Sequence, residues 1–537
     1  MTVESPIATN ARSATIEVGA RVRGGAKATA SVPDETAQPK TFSLLQWGCL
    51  LAIVAVAAGL RLLKLDDWSI WVDEGHTYRD VTVPLDQFFE NARRWYPTSY
   101  LFLRGLLDGG LLPYASEGWL RLPFALCGIA TVPVLALYGR HLAGPSAALF
   151  AALYLAVDPW HVYWSQNARA YSLVVLFGVI AAGEFAVGRQ QGSRLRTAFA
   201  FVWLALAASC HMTSIVLLPA FLVVLLLDST RFERRRTIPL LLLVATLLLV
   251  LEPLLSLFPP FRGFLDAKQD ASPSLWHWLQ TSAFYFRLPL LAAATAGAFF
   301  AVRERVDGRT LHLLCWAIVP MVLLAAVGAG MVKVTARYAL IALPGMLLLA
   351  GLATVRLFDL TARAGGSMRF MPGLLLPVLL CVDFLGYDYL YFTVQRGDRG
   401  RWEEASEFVQ ANAAGAPFVV HTTHEPVLVY YLQPDRYRAG TLASAPDVVD
   451  LRSIETHDIA ATANGRADAG GCYVRSIVEH ARRDGRVPFF VASIPELQEK
   501  DRDGSLQAAL RSQCELLEVL PLWVGPKDES VYVWRAR

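Results

Sequence analysis

The sequence has few charged residues for its length. Only 18% of its 537 residues are Asp, Glu, Lys or Arg, whereas 54% are hydrophobic and the mean hydropathy is +0.39. Ordinary soluble domains carry about 25% charged residues. The net charge of +3 and the lack of any long basic run argue against a nucleic-acid partner. The composition therefore predicts an integral membrane protein whose partners include membrane lipids.

Two kinds of motif are missing as well. The seven cysteines show no CxxC or Cys/His spacing, so no metal centre or other cofactor is predicted, although use of a divalent metal is left open. No glycine-rich loop has the context of a nucleotide site. Cys472 and Cys514 lie in the polar C-terminal part and would pair only if that part faces an oxidising compartment.

The N-terminal tail, residues 1–43, is rich in Ala, Thr, Ser and charge and almost lacks aromatic residues. Such a segment cannot bury enough apolar surface to fold, which predicts a disordered cytoplasmic tail. A signal peptide is not expected, because the run from Leu45 to Leu63 is long enough to span a bilayer and lacks a convincing cleavage site.

Long apolar runs predict about eleven transmembrane helices in a membrane domain over residues 44–392. The predicted spans are 45–63, 119–139, 143–159, 171–188, 197–210, 212–228, 238–258, 288–302, 311–329, 336–356 and 371–391. Arginine clusters recur in alternate loops, as in the cytoplasmic loops of multi-pass proteins. With a cytoplasmic tail, this pattern places residues 64–118 and everything after 392 outside the cell's inner (cytoplasmic) membrane.

The C-terminal part, residues 393–537, is polar and has its own pattern. Strands are predicted near Pro417, Val487 and Ser530, and amphipathic helices over 402–412, 473–484 and 495–511. Alternating strands and helices indicate a small extracytoplasmic α/β domain.

An acidic pair follows the first apolar run almost at once, in the stretch Trp68-Ser-Ile-Trp-Val-Asp73-Glu74-Gly75-His76. A carboxylate there is suited to accept a proton from an attacking hydroxyl. A solvated loop whose tryptophans lie in the interfacial aromatic belt would show the same residues.

Two cationic stretches are predicted on the same face, each beside a tyrosine: Arg169 with Tyr171, and Lys333 and Arg337 with Tyr338. Arginine matches the geometry of phosphate oxygens, so these residues form a candidate phosphate clamp. Anchoring of the arginines at the bilayer interface is the alternative. His211, between two apolar runs, either donates a hydrogen bond to a substrate or caps a helical hairpin.

The order of these stretches resembles a known family. The motifs are Arg61 at the end of the first apolar run, Trp71-Val-Asp73-Glu74, Pro97-Thr-Ser-Tyr100, Trp119-Leu-Arg121-Leu-Pro, Ser165-Gln-Asn-Ala-Arg169-Ala-Tyr171-Ser and Ala336-Arg337-Tyr338-Ala-Leu-Ile-Ala-Leu-Pro344, with a histidine at 211. Together they are similar to polytopic GT-C glycosyltransferases of the protein mannosyltransferase and aminoarabinose transferase type.

This resemblance implies an inverting membrane glycosyltransferase that takes a sugar from a polyprenyl-phosphate carrier on the outer face. The acceptor would be an envelope glycolipid, polysaccharide or protein. Asp73 matches the catalytic base, and Glu74 its neighbour that helps to hold the acceptor. The expected donor-phosphate and substrate-binding residues are Arg169, Tyr171, Arg337, Tyr338, Lys333, His211 and Arg121. The sequence departs from the family pattern at Asn167 and Thr98.

A transporter or flippase for a lipid-linked or anionic solute is the alternative function. It would use ionisable residues within the apolar runs, namely Glu184, Asp228 and Glu252. Transporters place such residues near the membrane midplane, whereas most candidates here are predicted at one face, which favours the enzyme.

Overall fold

The computed structural model describes residues 41–90, 96–113, 116–227, 273–304, 306–364, 371–434, 436, 448–451, 469–501, 504–524 and 527–537. These residues belong to one compact unit that runs from Pro39 to Arg537. The predicted tail over residues 1–43 therefore lies almost wholly outside the described residues.

Helices make up most of the described chain. They are α1 (Leu44–Leu62), α2 (Val72–Thr82), α3 (Leu85–Glu90), α4 (Thr98–Asp108), α5 (Glu117–Ala143), α6 (Pro145–Ala156), α7 (Pro159–Ser165), α8 (Tyr171–Gln191), α9 (Arg194–Cys210), α10 (Leu217–Leu227), α11 (Leu275–Tyr285), α12 (Leu288–Glu304), α13 (Gly308–Gly330), α14 (Leu343–Ala364), α15 (Met371–Thr393), α16 (Trp402–Ala413), α17 (Glu425–Leu432), α18 (Ala469–Arg483), α19 (Ile494–Lys500) and α20 (Ser505–Gln513). Short 3-10 turns cover Met212–Val216, Ala336–Ala342 and Arg396–Asp398.

Six of these elements are long and apolar enough to cross a bilayer: Leu44–Leu62, Glu117–Ala143, Tyr171–Gln191, Gly308–Gly330, Ala336–Arg363 and Gly373–Thr393. A seventh span results if α11 and α12, which meet at an angle of 92°, count as one. The chain is a multi-pass membrane protein.

The predicted number of eleven spans is not confirmed within the described residues. The runs 143–159 and 212–228 form the shorter apolar helices Pro145–Ala156 and Met212–Leu227. A 12-residue helix is about 18 Å long, which is less than the roughly 30 Å of a hydrocarbon core. Gly144, at a φ of 85°, ends α5, and α6 begins at Pro145. The run 238–258 lies outside the described residues.

One end of the helical bundle brings together segments that are distant in sequence. Gln166, just after α7, donates from Nε2 to the carbonyls of Leu60, Arg61 and Leu63 at 3.2, 3.2 and 2.7 Å. These carbonyls belong to the end of α1, where helix carbonyls lack partners within the helix. The amide therefore fixes the end of α1 against the end of α7.

A five-stranded sheet forms the centre of the C-terminal part. Its strands are β1 (Phe418–Thr422), β2 (Val448–Asp450), β3 (Val487–Ser493), β4 (Cys514–Leu520) and β7 (Val531–Ala536), in the order β2-β1-β3-β7-β4. Strand β1 pairs in parallel with β2 and β3, whereas β7 is antiparallel to β3 and β4. A separate two-stranded ladder joins β5 (Trp523–Val524) and β6 (Lys527–Asp528). The three predicted strands are confirmed.

The two cysteines of this part are free thiols. Cys472 lies on α18 and is partly exposed, whereas Cys514 begins β4 and is buried. The conditional disulfide considered from the sequence is therefore not formed in this structure.

The C-terminal part packs directly on α2 and on the loop before it. The backbone N–H of Ile70 donates to the Tyr431 hydroxyl at 2.8 Å, and the N–H of Glu403 donates to the Ser69 hydroxyl at 3.1 Å. Gly75 lies so close to α17 that a Cβ atom there would be 3.0 Å from the carbonyl carbon of Pro426. Only glycine leaves room for this approach.

We expect Gly75→Ala to lower the free energy of unfolding by about 1–3 kcal/mol, because its methyl group would press on the α17 backbone. Gly105→Ala is the matched control, since a Cβ atom at Gly105 of α4 has no neighbour within 4 Å. The control should raise stability by up to about 1 kcal/mol through helix propensity. Thermal unfolding of the detergent-purified proteins measures both. Equal shifts of the same sign would contradict the close approach.

Candidate active site

The first turn of α2 presents two adjacent carboxylates to different surroundings. Trp71 precedes α2 in an extended conformation, and Asp73 and Glu74 follow within the first turn. Consecutive helix residues point about 100° apart. The Asp73 side chain keeps 29% of its surface exposed, whereas that of Glu74 is fully buried. Both charges are favoured by the positive end of the helix dipole.

Arg121 of α5 holds Glu74 from one side. Its Nε donates to Glu74 Oε1 and its Nη2 to Oε2, both at 2.9 Å, in the bidentate geometry that suits a guanidinium group. The other three N–H groups donate to the carbonyls of Leu65, Trp68 and Ser69. All five donors are used. Contrary to the expectation from the sequence, Arg121 has no N–H left for a substrate phosphate; it fixes the loop before α2.

A second arginine, Arg399, was missed in the sequence and reaches Glu74 from the other side. It lies between α15 and α16, and its Nε is 3.4 Å from Glu74 Oε2. Its Nη2 donates to the Gln166 carbonyl at 2.7 Å, and its Nη1 to the Gly397 carbonyl at 2.9 Å. The only signal in the sequence is a run of arginines and glycines after the last span, which does not indicate which arginine points inward.

The Glu74 carboxylate is buried and already engaged. The backbone N–H of Ala168 donates to Oε1 at 2.9 Å, so the two oxygens accept three hydrogen bonds, and Arg399 Nε faces Oε2 at 3.4 Å without a hydrogen bond. Burial alone would raise the pKa of Glu74, but Arg121, Arg399 and this N–H outweigh it and lower the pKa to about 2. Glu74 is ionised at neutral pH and, contrary to expectation, does not present an oxygen to an acceptor.

Asp73 faces Arg169, which precedes α8. Arg169 Nη2 lies 3.8 Å from Asp73 Oδ2. Arg169 Nη1 donates to the Asp73 carbonyl and to the Thr77 hydroxyl, each at 3.2 Å. The Arg169 side chain keeps 16% of its surface exposed. This ion pair, unlike the one at Glu74, remains open to a substrate.

Aromatic rings extend this site toward the start of the span that begins at Ala336. The His211 ring lies 5.2 Å from Tyr171 and 5.6 Å from Tyr338, between centroids. Arg337 stands over the Tyr338 ring, and its Nη2 is 3.3 Å from that hydroxyl. Arg337 also interacts electrostatically with Asp73, and its buried Nε has no hydrogen-bond partner among the described residues.

His211 has two contacts of different kinds. Its Nδ1 lies 2.8 Å from the Thr213 hydroxyl and accepts from the Thr213 N–H at 3.4 Å, so the side chain caps the turn that follows α9. Its ring faces are the surfaces that meet the two tyrosines. Capping and a place in the site therefore coexist, although the sequence presented them as alternatives.

The structure brings together six of the predicted residues, which we name the Asp73 cluster: Asp73, Arg169, Tyr171, His211, Arg337 and Tyr338. Lys333 is exposed, and its positive charge is repulsive toward His277 of α11. We therefore leave Lys333 out of the cluster. Among the described residues, no group of three or more His, Cys, Asp or Glu side chains is arranged to hold a metal ion.

Comparison with known proteins identifies this fold. The family model described as dolichyl-phosphate-mannose-protein mannosyltransferase matches residues 112–256, about a quarter of the chain. The oligosaccharyltransferase of Archaeoglobus fulgidus superposes with a TM-score of 0.56 at 13% identity, over 88% of this chain and 73% of that chain. ArnT of Cupriavidus metallidurans gives 0.51 at 16% identity, over 91% and 98%. The chain has the GT-C fold.

The GT-C fold confirms the fold class and the resemblance inferred from the motifs. At these identities the structural likeness concerns the fold, and function has to be argued from the site. None of the curated proteins matches the chain in a sequence comparison. Within the GT-C fold of this chain, the Asp73 cluster lies where the first loop, the start of α8 and the segment before α14 converge.

Glu74→Gln tests the buried ion cluster through its pH dependence. The pKa of Glu74 falls from 4.5 to about 2 on folding, so its stabilising effect is present above pH 4.5 and is lost as the pH falls through 2. At pH 7 we expect the variant to be less stable by about 3 kcal/mol, and the difference to shrink on acidification. Unfolding midpoints at pH 7, 5, 4 and 3 measure this.

Asp67→Asn is the control for this measurement, because Asp67 is an exposed acid of the same loop. Its stability should differ from wild type by less than about 0.5 kcal/mol at each pH. A difference for Glu74→Gln that does not change with pH would contradict the ionised, doubly paired carboxylate.

Proposed function

We propose that the chain is an inverting membrane glycosyltransferase. It moves a sugar from a polyprenyl-phosphate donor to an envelope acceptor on the outer face of the cytoplasmic membrane. The observation that carries this proposal is the Asp73 cluster, in which one accessible carboxylate lies beside two arginines. The archaeal oligosaccharyltransferase has been solved with a dolichol-phosphate, and ArnT with undecaprenyl phosphate. A sugar linked to a lipid phosphate of this class is the donor that we assign to the present chain.

Asp73 is the proposed base. An acceptor hydroxyl placed against its exposed carboxylate gives its proton to Asp73 while the hydroxyl oxygen attacks the anomeric carbon. The bond from this carbon to the phosphate oxygen breaks, and both electrons leave with the polyprenyl phosphate. Because attack and departure take place on opposite faces of the sugar, the anomeric configuration inverts.

Arg169 and Arg337 form the proposed phosphate clamp. Negative charge grows on the leaving phosphate in the transition state, and fixed donors stabilise it without reorganisation. The buried, unpartnered Nε of Arg337 is one such donor. The Tyr338 hydroxyl lies beside it at 3.3 Å from Nη2, and stacking of His211 on Tyr338 holds that ring in place.

Transport remains the rival function, but the embedded acid that it would use is already engaged. Glu184 accepts a hydrogen bond from the Tyr138 hydroxyl at 2.6 Å and pairs with Arg196 at 3.4 Å. The other two candidates, Asp228 and Glu252, lie outside the described residues. The accessible ion pair at Asp73 supports transfer chemistry over transport.

We expect Asp73→Asn to abolish transfer while the protein is expressed normally, because an amide cannot accept the hydroxyl proton. Mass spectrometry of lipid extracts and envelope glycans from cells with wild type, Asp73→Asn or a deletion measures the outcome. The mutant and the deletion should accumulate the same lipid-linked sugar and lose the same glycan residue. Asp67→Asn is the control and should resemble wild type.

A normally expressed Asp73→Asn protein with the wild-type profile, beside a deletion that has a phenotype, would overturn this proposal. Transport would then be the better function. The accumulated lipid in the expected outcome identifies the sugar and the carrier length, and the lost glycan residue identifies the acceptor.

Arg337→Gln and Arg169→Gln should each lower the turnover number about 100-fold, which corresponds to about 3 kcal/mol of transition-state stabilisation. Purified enzyme with a radiolabelled polyprenyl-phosphate sugar gives the rates. Arg196→Gln is the control, because this arginine is 43% exposed and pairs with Glu184 away from the cluster. Equal rates for all three variants would contradict the clamp.

A further inference from the structure

The connector between α15 and α16 has an unusual backbone conformation. Arg396, Gly397 and Asp398 have φ values of 47°, 70° and 57°, so three consecutive residues adopt the left-handed conformation. For the two residues that carry a Cβ, this conformation is costly and persists only where surrounding contacts hold it. A Cβ atom at Gly397 would lie 2.3 Å from the ring of Trp68. The connector is therefore pressed against the loop that precedes α2.

This left-handed turn delivers Arg399 into the protein interior. The Arg399 side chain has no exposed surface, and its guanidinium group stands 5.7 Å from the Trp68 ring and 5.8 Å from the Tyr163 ring. Arg399 Nη1 also donates a hydrogen bond to the Tyr391 hydroxyl at 3.3 Å. Arginine suits this place because its planar group stacks on rings while its edge donates hydrogen bonds.

Two nitrogens of this guanidinium group face two different segments. Nε lies 3.4 Å from Glu74 Oε2, an ion pair without a hydrogen bond, and Nη2 donates to the carbonyl of Gln166. Glu74 is the direct neighbour of Asp73, and Gln166 lies three residues before Arg169. One side chain thus bridges the segment that carries the proposed base and the segment that carries the proposed clamp.

We infer that Arg399 is a positioning residue for the transfer reaction, and that it sets the distance between Asp73 and Arg169. This inference rests on the proposed function. In this inference, the connector that leads from α15 into the C-terminal part helps to set the geometry of the transition state. The C-terminal part then does more than cover the membrane helices. Arg399 contacts no substrate in this role and acts through Glu74 and the Gln166 carbonyl.

The test compares Arg399→Gln, Arg399→Lys and the control Arg396→Gln in purified enzyme. Arg396 is 42% exposed and pairs with Glu404 on the surface. We expect Arg399→Gln to lower kcat about 100-fold, as for a displaced catalytic group, with KM for the lipid donor changed less than about 3-fold. Arg399→Lys should stay at least about 10-fold below wild type, because one ammonium group cannot bridge both segments. Arg396→Gln should stay within about 2-fold of wild type.

A second measurement separates positioning from loss of folded protein. Arg399→Gln is combined with Arg169→Gln, whose own rate is about 100-fold below wild type and remains measurable. If Arg399 acts by setting the distance between Asp73 and Arg169, adding Arg399→Gln to Arg169→Gln should lower the rate less than about 3-fold, because coupled residues are not additive. Loss of folded enzyme would instead lower the rates of wild type and of Arg169→Gln by the same factor and would overturn the inference.

Arg399→Lys keeps the buried positive charge, so it carries the test if Arg399→Gln does not yield a folded, monodisperse protein. A folded Arg399 variant with wild-type kcat would overturn the inference alone, with the proposed function intact. Absence of transfer by the wild-type enzyme with every polyprenyl-phosphate sugar offered would overturn the proposed function itself.

Discussion

The buried carboxylate of Glu74 is the contact on which the arrangement of this protein depends. Its partners come from α5, from the segment before α8 and from the connector after α15, which are far apart in the chain. A buried ion pair contributes little net stability, because desolvation offsets much of the attraction. Loss of one partner is costly, however, since it leaves a buried charge without its counterion. Glu74 therefore specifies which segments meet more than it adds to the free energy of folding.

Asp73 and Glu74 lie in the same helical turn but have different roles: Glu74 holds segments together, and Asp73 is the proposed base. Its carboxylate is adjacent in sequence to Glu74, but the helix turns it toward a partly open space with Arg169. The enclosed acid accepts three hydrogen bonds and has no exposed surface, whereas the open acid keeps 29% of its surface exposed. The chemistry proposed for Asp73 thus relies on a neighbour that takes no part in it.

Much of the fold and of the candidate site could be predicted from the sequence, and each prediction that was wrong or missing has a physical reason. The resemblance in motif order predicted the GT-C fold, and the predicted topology together with that resemblance grouped Asp73 with Arg169, Tyr171, His211 and Arg337. The roles of Arg121 and Glu74 were misjudged, because a motif does not show whether the donors of a side chain are already used. Arg399 was missed because pairing across more than 300 residues leaves no local pattern. The number of spans was not confirmed because the apolar runs 143–159 and 212–228 form helices shorter than a membrane span, and the run 238–258 lies outside the described residues.

The close packing of α2 against α17, which we call the seam, limits which parts of the protein can be exchanged between relatives. At Gly75 the two backbones are nearly in contact, and Ile70 and Ser69 are hydrogen-bonded to the C-terminal part. The C-terminal part and the first loop consequently form one packed unit, although a polar sequence change near residue 393 suggests an exchangeable module. A chimaera between relatives that divides the chain there would mismatch this seam. Grafting the C-terminal part together with the loop that carries residues 68–82 would preserve it.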